Sequence, residues 1–347
     1  MSRKTILVVL CSLLVPLAAR GAPIELRVLT HSSFAATQSV IDAFQSANNV
    51  HVQFSAGGDA GETLNKAILS RGNPLADVLY GVDNTFMGRA LAADILEPYD
   101  SPALKDIPEA LTLDPSHRLL PVDVGYVTLN FDRVYLARKG LEVPRSLEDL
   151  TRAPYRSLLV VENPATSSPG LAFLLATVSR FGETGDRTWE TYWSALKQND
   201  VLVVNGWDDA YFNEFSASGK GKRPIVVSYG TSPAYEMYAA DPKPSEPRTG
   251  NIMGDGTSFR QVEFVGILKG TKQPDLARKF VDFMLGATFQ ADIPLQMWVY
   301  PANRRAPLPD IFLQLAPTPQ RPSTISPALI DARRDSWIQQ WTQIVLH

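Results

Sequence analysis

Three large aromatic residues stand at the ends of neighbouring segments between residues 205 and 238, in the sequences N-G-W-D-D-A-Y and S-Y-G-T-S-P-A-Y. We expect Tyr229 to end a short buried strand, Tyr235 to lie in the next helix, and Trp207 to open an earlier helix. Ligand groups collect at element ends in open α/β folds, so these rings are candidates for lining a cleft. Flat aromatic faces suit a planar or cationic ligand. The alternative is that all three rings fill the core or cover the surface.

A second group of candidates is polar. The sequence Ser167-Ser168-Pro169-Gly170 predicts a helix start, with Ser168 as the N-cap and Pro169 in the first turn. Free N–H groups and the positive end of the helix dipole form an anion site there, unless the serines act only as caps. Asp59, in a glycine-rich turn, can accept hydrogen bonds from a ligand amine or balance a cation. A turn aspartate needs no ligand, however, and that alternative stays open.

Trp298 belongs to a later part of the chain, in P-L-Q-M-W-V-Y-P. Pro294 and Pro301 indicate a loop around it. A loop tryptophan beside a cleft would act as a lid over a ligand. Packing in the core is the alternative.

Residues that catalyse reactions or bind metals are sparse. None of the four histidines has the spacing of metal ligands or a neighbouring acidic pattern: His31, His51, His117 and His347. The sequence contains no G-x-S-x-G elbow, no G-x-x-x-x-G-K-[ST] loop and no G-x-G-x-x-G after a strand. We therefore expect a protein that is not an enzyme and that holds no metal or cofactor.

The elements that must position these side chains alternate between strands and helices. Residues 24–83 read as strand, helix, strand, helix, strand, which predicts a mostly parallel sheet flanked by helices. Later strands are predicted at 119–131, 158–161, 201–204, 224–229 and 261–268, and helices at 171–181, 187–197, 274–285 and 328–345. Residues 241–258 read as a surface loop, and the proline-rich residues 306–327 as a segment that wraps the surface.

Two long strands, near residues 122–131 and 260–268, predict two α/β lobes joined by crossing hinge strands. We expect lobe 1 to comprise residues 22–124 and 261–347, including the C-terminal helix, and lobe 2 to comprise residues 125–260. The apolar stripe of that last helix is expected to pack against the body of the protein.

The N-terminus has a basic start, an apolar run and a small-residue exit, which predict a secretory signal peptide over residues 1–21. Cys11 is the only cysteine, so the mature chain would have no disulfide and no thiol. Removal of residues 1–21 moves the formal net charge from −3 to −6. An acidic chain without a basic patch argues against binding to nucleic acid or anionic lipid. We expect a secreted monomer.

With these motifs the chain resembles the periplasmic thiamine-binding proteins of bacterial ABC importers, in the type II solute-binding superfamily. The matching segments are A-D-V-L-Y-G-V-D-N, P-V-D-V-G-Y-V, N-P-A-T-S-S-P-G-L, N-G-W-D-D-A-Y, S-Y-G-T-S-P-A-Y, Q-V-E-F-V, P-L-Q-M-W-V-Y-P and R-R-D-S-W-I-Q-Q-W. The resemblance implies a two-lobed periplasmic binding protein type II fold. It also implies a periplasmic binder that closes on thiamine, its monophosphate or its diphosphate and docks onto a membrane permease.

The resemblance also implies roles for single residues. The implied ligand contacts are Trp207, Tyr229 and Tyr235 around the rings, Ser167 with its neighbour Ser168 at the hydroxyl or phosphate end, and Asp59 and Trp298 elsewhere along the site. His31 stands where the relatives have a tyrosine at the end of the first strand. A histidine there could stack on a ring or contact phosphate, and would make affinity depend on pH.

Other functions remain open at this point. The same scaffold could carry another small cationic or phosphorylated solute, such as a polyamine or an aminophosphonate. Ferric iron is disfavoured, because the iron binders of this superfamily use adjacent tyrosines and no Tyr-Tyr pair occurs here. A secreted phosphatase would need a nucleophile with its base or a metal cluster, and the sequence indicates neither.

Overall fold

The computed structural model describes residues 24–347, and the predicted signal peptide lies outside the described residues. Within that range the strands are β1 (Ile24–Thr30), β2 (Val50–Ala56), β3 (Val78–Asp83), β4 (Leu96–Glu97), β5 (Leu120–Asp132), β6 (Leu159–Glu162), β7 (Leu202–Val204), β8 (Ile225–Tyr229), β9 (Thr249–Ile252), β10 (Phe259–Leu268) and β11 (Tyr300–Pro301). The α-helices are α1 (Gln38–Asn48), α2 (Ala60–Leu69), α3 (Met87–Ala92), α4 (Arg133–Lys139), α5 (Ser168–Phe181), α6 (Trp189–Gln198), α7 (Ser232–Ala239), α8 (Pro274–Leu285), α9 (Ala287–Gln296), α10 (Asp310–Leu315) and α11 (Pro327–Val345).

The strands of the described residues form one mixed sheet. Eight of them follow the order β2-β1-β3-β10-β5-β8-β6-β7, while β4 pairs with β10 and both β9 and β11 pair with β5. The strands β1, β2 and β3 run parallel to one another, as do β6, β7 and β8. The central pair, β10 and β5, is antiparallel, and β10 is also antiparallel to β3 and β5 to β8. Parallel strands need helical crossovers, which accounts for the alternating strand and helix pattern of the sequence.

The strand β5 joins the two sides of the molecule. Its first residues pair with β10, and its last ones, from Val127 to Phe131, pair with β8. Both strands are buried along nearly their whole length, which explains their almost continuous apolar sequences. The two long crossing strands expected from the sequence are therefore present. They join a first lobe built on β2-β1-β3 to a second lobe built on β8-β6-β7.

The C-terminal helix α11 packs against the body of the protein, as its apolar stripe predicted. Trp337 and Trp341 are fully buried. The ring of Trp341 meets the ring of Trp193 from α6 edge-on, with 5.5 Å between their centroids. Large aromatic side chains in such contacts contribute strongly to core stability. Between residues 24 and 347, no helix is both long and apolar enough to cross a membrane.

Three local expectations were wrong. The segment 241–258 contains a strand, β9, which pairs with β5 although its sequence T-G-N-I has almost no apolar signal. Pro294 lies inside α9 rather than in a loop, and the helix ends two residues later. The helix α5 begins one residue earlier than predicted, with Ser167 as its N-cap and Ser168 as its first residue.

Candidate ligand-binding cleft

A cavity of about 270 Å³ lies between the two lobes, and their element ends line it. Contributions come from the residues after β1, the starts of α2 and α5, the end of β8, and the segment between α9 and β11. Seven of the eight predicted site residues line this one cavity: His31, Asp59, Ser168, Trp207, Tyr229, Tyr235 and Trp298. Ser167 does not line it. Residues far apart in the sequence are thus brought together, as expected for a site at the ends of strands and helices.

The ring of Trp207 is held on three sides. It stacks on Tyr211, with centroids 5.1 Å apart and an angle of 17°, and Tyr229 meets it edge-on at 6.0 Å. Its Nε1 donates a hydrogen bond to Ser228 Oγ at 2.9 Å. Trp207 leads into a π-helical turn, Asp209–Glu214, a feature often found at functional sites. Tyr211 therefore covers one face of the indole, and Phe212 meets the ring edge-on at 5.4 Å.

Tyr229 lies at the end of β8 and packs over Gly125 of β5. A Cβ atom at position 125 would stand 2.9 Å from Cε1 of the tyrosine ring, so only glycine leaves room for it. The hydroxyl donates a hydrogen bond to Gln261 Oε1 at 2.9 Å. The ring is therefore fixed by packing beneath it and by a hydrogen bond at its tip. This rigidity lowers the entropic cost of stacking a ligand against it.

Trp298 and Tyr235 form another part of the wall. Trp298 stacks on Phe312, with centroids 5.8 Å apart and an angle of 16°, and Tyr235 approaches its ring edge-on at 5.4 Å. The backbone of Trp298 has a φ of 58°, a conformation that a residue with a bulky side chain rarely adopts. Its carbonyl oxygen accepts a hydrogen bond from the Thr231 hydroxyl. These contacts hold an unfavourable backbone conformation in place, as is common at ligand sites.

Asp59 connects the two lobes. It caps α2 by accepting a hydrogen bond from the Ala60 N–H at 2.6 Å. Its carboxylate also accepts one from the Trp207 N–H at 3.0 Å and lies 3.5 Å from the N–H of Ser168 at the start of α5. Burial raises the pKa of Asp59, and the hydrogen bonds from Trp207 and Ala60 oppose that rise. The carboxylate thus occupies the positive end of α5 from across the cleft.

The two serines differ in their surroundings. Ser167 is fully buried, and its hydroxyl lies beside the Asp59 carboxylate without an aligned hydrogen bond. Ser168 lines the cavity, but its hydroxyl donates to Asp83 Oδ2 at 2.5 Å and lies 2.6 Å from the Nε2 donor of Gln261. Burial raises the pKa of Asp83 to about 6, although the hydrogen bonds from Ser168 and its neighbours oppose the shift. Internal partners therefore already engage the Ser168 hydroxyl.

His31 belongs to a buried acidic cluster at the floor of the cleft. Its Nε2 lies 3.3 Å from Glu263 Oε2, and Glu263 stands directly opposite Asp123 across the β10–β5 ladder. The Tyr80 hydroxyl lies 2.6 Å from Asp123 Oδ2 and 2.9 Å from Glu263 Oε2. Burial disfavours the charged imidazole, but Glu263 and the carboxylates of Asp59 and Asp123 outweigh it and raise the pKa of His31 to about 9. Burial, reinforced by Glu263, raises the pKa of Asp123 well above its usual range.

Several lining residues were not singled out from the sequence, among them Glu263, Asp208 and Tyr211. A signal for the first was present in Q-V-E-F-V, where Gln261 and Glu263 alternate with apolar residues and so share one face of a buried strand. A buried carboxylate in a central strand needs a partner or a function. For Asp208, only its position next to Trp207 marked it.

The ionisable side chains that line the cavity are mostly acidic. Three carboxylates, those of Asp59, Asp208 and Glu263, line it together with His31. No lysine or arginine is found among the described residues that line it. Within residues 24–347, no cluster of histidine, cysteine, aspartate or glutamate is arranged to hold a metal ion. Aromatic faces with nearby carboxylates favour a planar cation as the guest.

Known proteins resemble this chain over nearly its whole length. It is 30% identical over 328 residues to the "Thiamine-binding periplasmic protein" of Escherichia coli, covering 92% of this chain and 93% of that protein. It is 31% identical over 329 residues to the protein of the same name from Salmonella typhimurium, with the same coverage. A solved structure described as "Periplasmic thiamin binding protein" superposes with a TM-score of 0.81 at 28% identity, covering 93% of this chain and 96% of that one. The expected two-lobed type II binding-protein fold is confirmed.

A family model also matches, over residues 73–317, and its description is "Bacterial extracellular solute-binding protein". The matched segment includes both crossing strands and most of the residues around the cleft. Members of this family bind solutes and do not catalyse reactions, in agreement with the expectation from the sequence. This chain belongs to the family of bacterial extracellular solute-binding proteins.

Proposed function

We propose that this protein captures thiamine, free or phosphorylated, outside the cytoplasm and delivers it to the membrane permease of an ABC importer. The observation that carries the proposal is the convergence of four aromatic side chains on one cavity: Trp207, Tyr229, Tyr235 and Trp298. Thiamine has a permanently charged thiazolium ring and an aminopyrimidine ring, and aromatic faces attract both. The names of the full-length relatives support the same ligand.

Each predicted residue receives a role in this proposal. The rings of Trp207, Tyr229, Tyr235 and Trp298 surround the two heterocycles. Asp59 balances the positive charge, and Ser167 with Ser168 lies toward the hydroxyl end of the ligand. His31 contacts the ligand from the floor of the cleft. The proposal also includes the extent of the two lobes: lobe 1 comprises residues 22–124 and 261–347, and lobe 2 comprises residues 125–260. The lobes close on the ligand by a hinge motion at β5 and β10.

Titration calorimetry tests the ligand. Protein stripped of any bound solute by unfolding and refolding should release or absorb heat with thiamine or one of its phosphates. Absence of heat with all of them would refute the proposal. Mass spectrometry of the small molecule that co-purifies with the native protein gives an independent answer.

Localisation, maturation and assembly are also proposals. Residues 1–21 direct export and are removed, and the mature protein acts as a monomer in the periplasm. Mass spectrometry of the exported protein should place its N-terminus near Gly21 or Ala22, and light scattering should give the mass of one chain. Thiamine uptake in cells should require both this protein and a permease. Uptake that persists after deletion of the gene would contradict the transport role.

A further inference from the structure

Gln261 stands where the two crossing strands pass between the lobes. It lies opposite Gly125 in the ladder between β10 and β5. Its side chain is buried and does not line the cavity. A buried amide has one oxygen acceptor and two donor hydrogens to satisfy, so its partners show which parts of the molecule it connects.

The amide oxygen of Gln261 binds a ring that lines the cleft. Tyr229 belongs to β8, which pairs with β5 on the side opposite to β10. Since position 125 has no side chain, the tyrosine ring lies across β5 there, and its hydroxyl donates a hydrogen bond to Gln261 Oε1 at 2.9 Å. One hydrogen bond therefore fixes the tip of a ring that the proposed function assigns to stacking on the ligand.

The amide nitrogen of Gln261 contacts both lobes. Nε2 lies 2.6 Å from Asp83 Oδ2 at the end of β3, and 2.6 Å from Ser168 Oγ at the start of α5. The Ser168 hydroxyl donates to the same Asp83 oxygen at 2.5 Å. An amide turned the other way would place its oxygen against the Asp83 carboxylate, so the network itself decides the orientation. The oxygen and both hydrogens of the amide are thus all engaged.

From these contacts we infer that Gln261 is a positioning residue for ligand capture, which holds the Tyr229 ring in place and joins it to the contact between Asp83 and Ser168 across the lobes. The inference rests on the proposed function, because it concerns how the same cleft holds its ligand. A ring that is fixed in advance loses little entropy when a ligand packs on it. A buried polar network also passes the loss of one member on to the others.

A double-mutant cycle tests this connection. Affinity is measured by calorimetry with whichever of thiamine, its monophosphate and its diphosphate the wild type binds most tightly. Tyr229→Phe keeps the ring and removes only its hydroxyl, whereas Gln261→Leu removes the amide. Each should weaken binding roughly tenfold. The double variant should bind at most about twofold more weakly than Gln261→Leu, because both changes remove the same hydrogen bond. Normal affinity in both single variants, or effects that add in full, would overturn the inference.

Tyr155→Phe is the matched control. Tyr155 is also a buried tyrosine of the second lobe, its hydroxyl donates to the Glu142 carbonyl oxygen at 3.0 Å, and it does not line the cavity. Loss of this hydroxyl should lower the free energy of unfolding and leave affinity unchanged. A loss of affinity equal to that of Tyr229→Phe would contradict the inference, because it would indicate a general loosening of the fold.

Gln261→Glu gives a result that loss of packing cannot imitate. The new carboxyl group has the shape of the amide, but it can donate to Asp83 only while it carries a proton. Two carboxyl groups about 2.6 Å apart share one proton at low pH and repel each other once both are ionised. Affinity relative to the wild type should therefore be close to one at about pH 5 and fall about tenfold or more by about pH 8. A ratio that does not change with pH would overturn the inference.

Other charged groups surround Asp83 and Tyr229. They are the carboxylates of Glu263, Asp59 and Asp123 and, from α11, the guanidinium of Arg334. The wild type contains the same groups, so the ratio of affinities at each pH isolates the new carboxyl group. Burial, reinforced by Glu263, raises the pKa of Tyr229 well above its usual range, so its hydroxyl keeps its proton throughout.

Failure of the inference can be told apart from failure of the proposed function. Wild-type protein that binds none of the three forms would refute the proposed function. Wild-type protein that binds, with unaffected variants, would refute only the role of Gln261. Thermal unfolding without ligand is measured for every variant. If Gln261→Leu does not fold, Tyr229→Phe with its control and the pH series of Gln261→Glu decide the question.

Discussion

Gly61 lies where the two lobes meet, and its replacement by alanine should weaken ligand binding without destabilising the ligand-free protein. The Gly61 N–H donates to the carbonyl oxygen of Thr166 at 3.0 Å across the cleft. A Cβ atom at position 61 would lie 2.7 Å from that oxygen and 2.9 Å from the carbonyl oxygen of Ala165. Both are backbone atoms, so neither can rotate away as a side chain would.

The size of the effect follows from these distances. An ordinary contact between carbon and oxygen is about 3.3 Å or longer, so the lobes must separate by roughly 0.6 Å. The hydrogen bond between Gly61 and Thr166 would then be too long to count, and the nearby bond from Trp207 to Asp59 would be stretched. Loss of one or two such bonds costs about 1 kcal/mol each. Affinity should therefore fall by roughly 5- to 30-fold, because only the closed form is penalised.

The free energy of unfolding of the ligand-free Gly61→Ala protein should rise or stay the same. Gly61 lies in the first turn of α2, and alanine is a better helix former than glycine by about 1 kcal/mol. Opening the cleft relieves the contacts with the Thr166 and Ala165 carbonyl oxygens, and the remaining 3.0 Å approach to Phe86 Cζ offsets part of the gain in helix propensity. Calorimetry and thermal unfolding without ligand would be measured on the same preparation. A Gly61→Ala protein that binds thiamine as tightly as the wild type would refute the reasoning about closure.

Gly72→Ala provides the opposite control. Gly72 lies in an exposed turn with a φ of 91°, and no atom within 4 Å would meet a new Cβ. Alanine there is strained by its backbone conformation alone, which costs about 1 kcal/mol of stability. Affinity should be unchanged, because the turn is not part of the cleft. Together the two variants separate the effect of closure from an effect on folding.

Three further changes probe the ring cluster, the buried ion pair and the core. Trp207→Ala should weaken thiamine binding by about tenfold or more, equal to about 1.4 kcal/mol. Circular dichroism should show an intact fold. Normal binding by this variant would mean that the aromatic rings do not form the binding site. His31 has a pKa of about 9 in the folded protein, so its pair with Glu263 stabilises the fold fully below about pH 6.5, and this stabilisation is lost as the pH rises through 9. Urea unfolding of the wild type should therefore lose up to about 3 kcal/mol more over that range than His31→Gln does, and parallel curves would contradict the ion pair. Trp341→Ala removes a fully buried ring that packs on Trp193 and should lower the free energy of unfolding by about 3–5 kcal/mol with no change in affinity measured by calorimetry.

Much of the secondary structure could be predicted because it depends on local patterns. The helix at Pro274–Leu285 has the predicted bounds, and the strand predicted at 158–161 is found at Leu159–Glu162. Their apolar spacing and flanking residues specify them without reference to distant parts of the chain. The strand β9 escaped prediction because its stability comes from pairing with β5 and not from its own residues. Strand propensity depends on the neighbouring strand more than on the segment itself.

Part of the candidate site could likewise be predicted from local sequence patterns, and part could not. The sequence by itself determined which aromatic residues stand at element ends, and the structure brings Trp207, Tyr229, Tyr235 and Trp298 to one cavity. Element ends can be read locally, and an open α/β sheet gathers them at one edge. Only the tertiary structure decided that Asp59 fills the N-terminus of α5 from the opposite lobe.

The acidic floor of the cleft likewise could not be read from the sequence. Glu263 and Asp123 are 140 residues apart in the chain, yet they stand opposite each other between β10 and β5. The His31 imidazole and the Tyr80 hydroxyl make that arrangement tolerable. Such partners are fixed by strand register and packing, which depend on the whole fold. The residue types set what the cleft is able to attract, whereas the register of two distant strands decides how its charge is balanced.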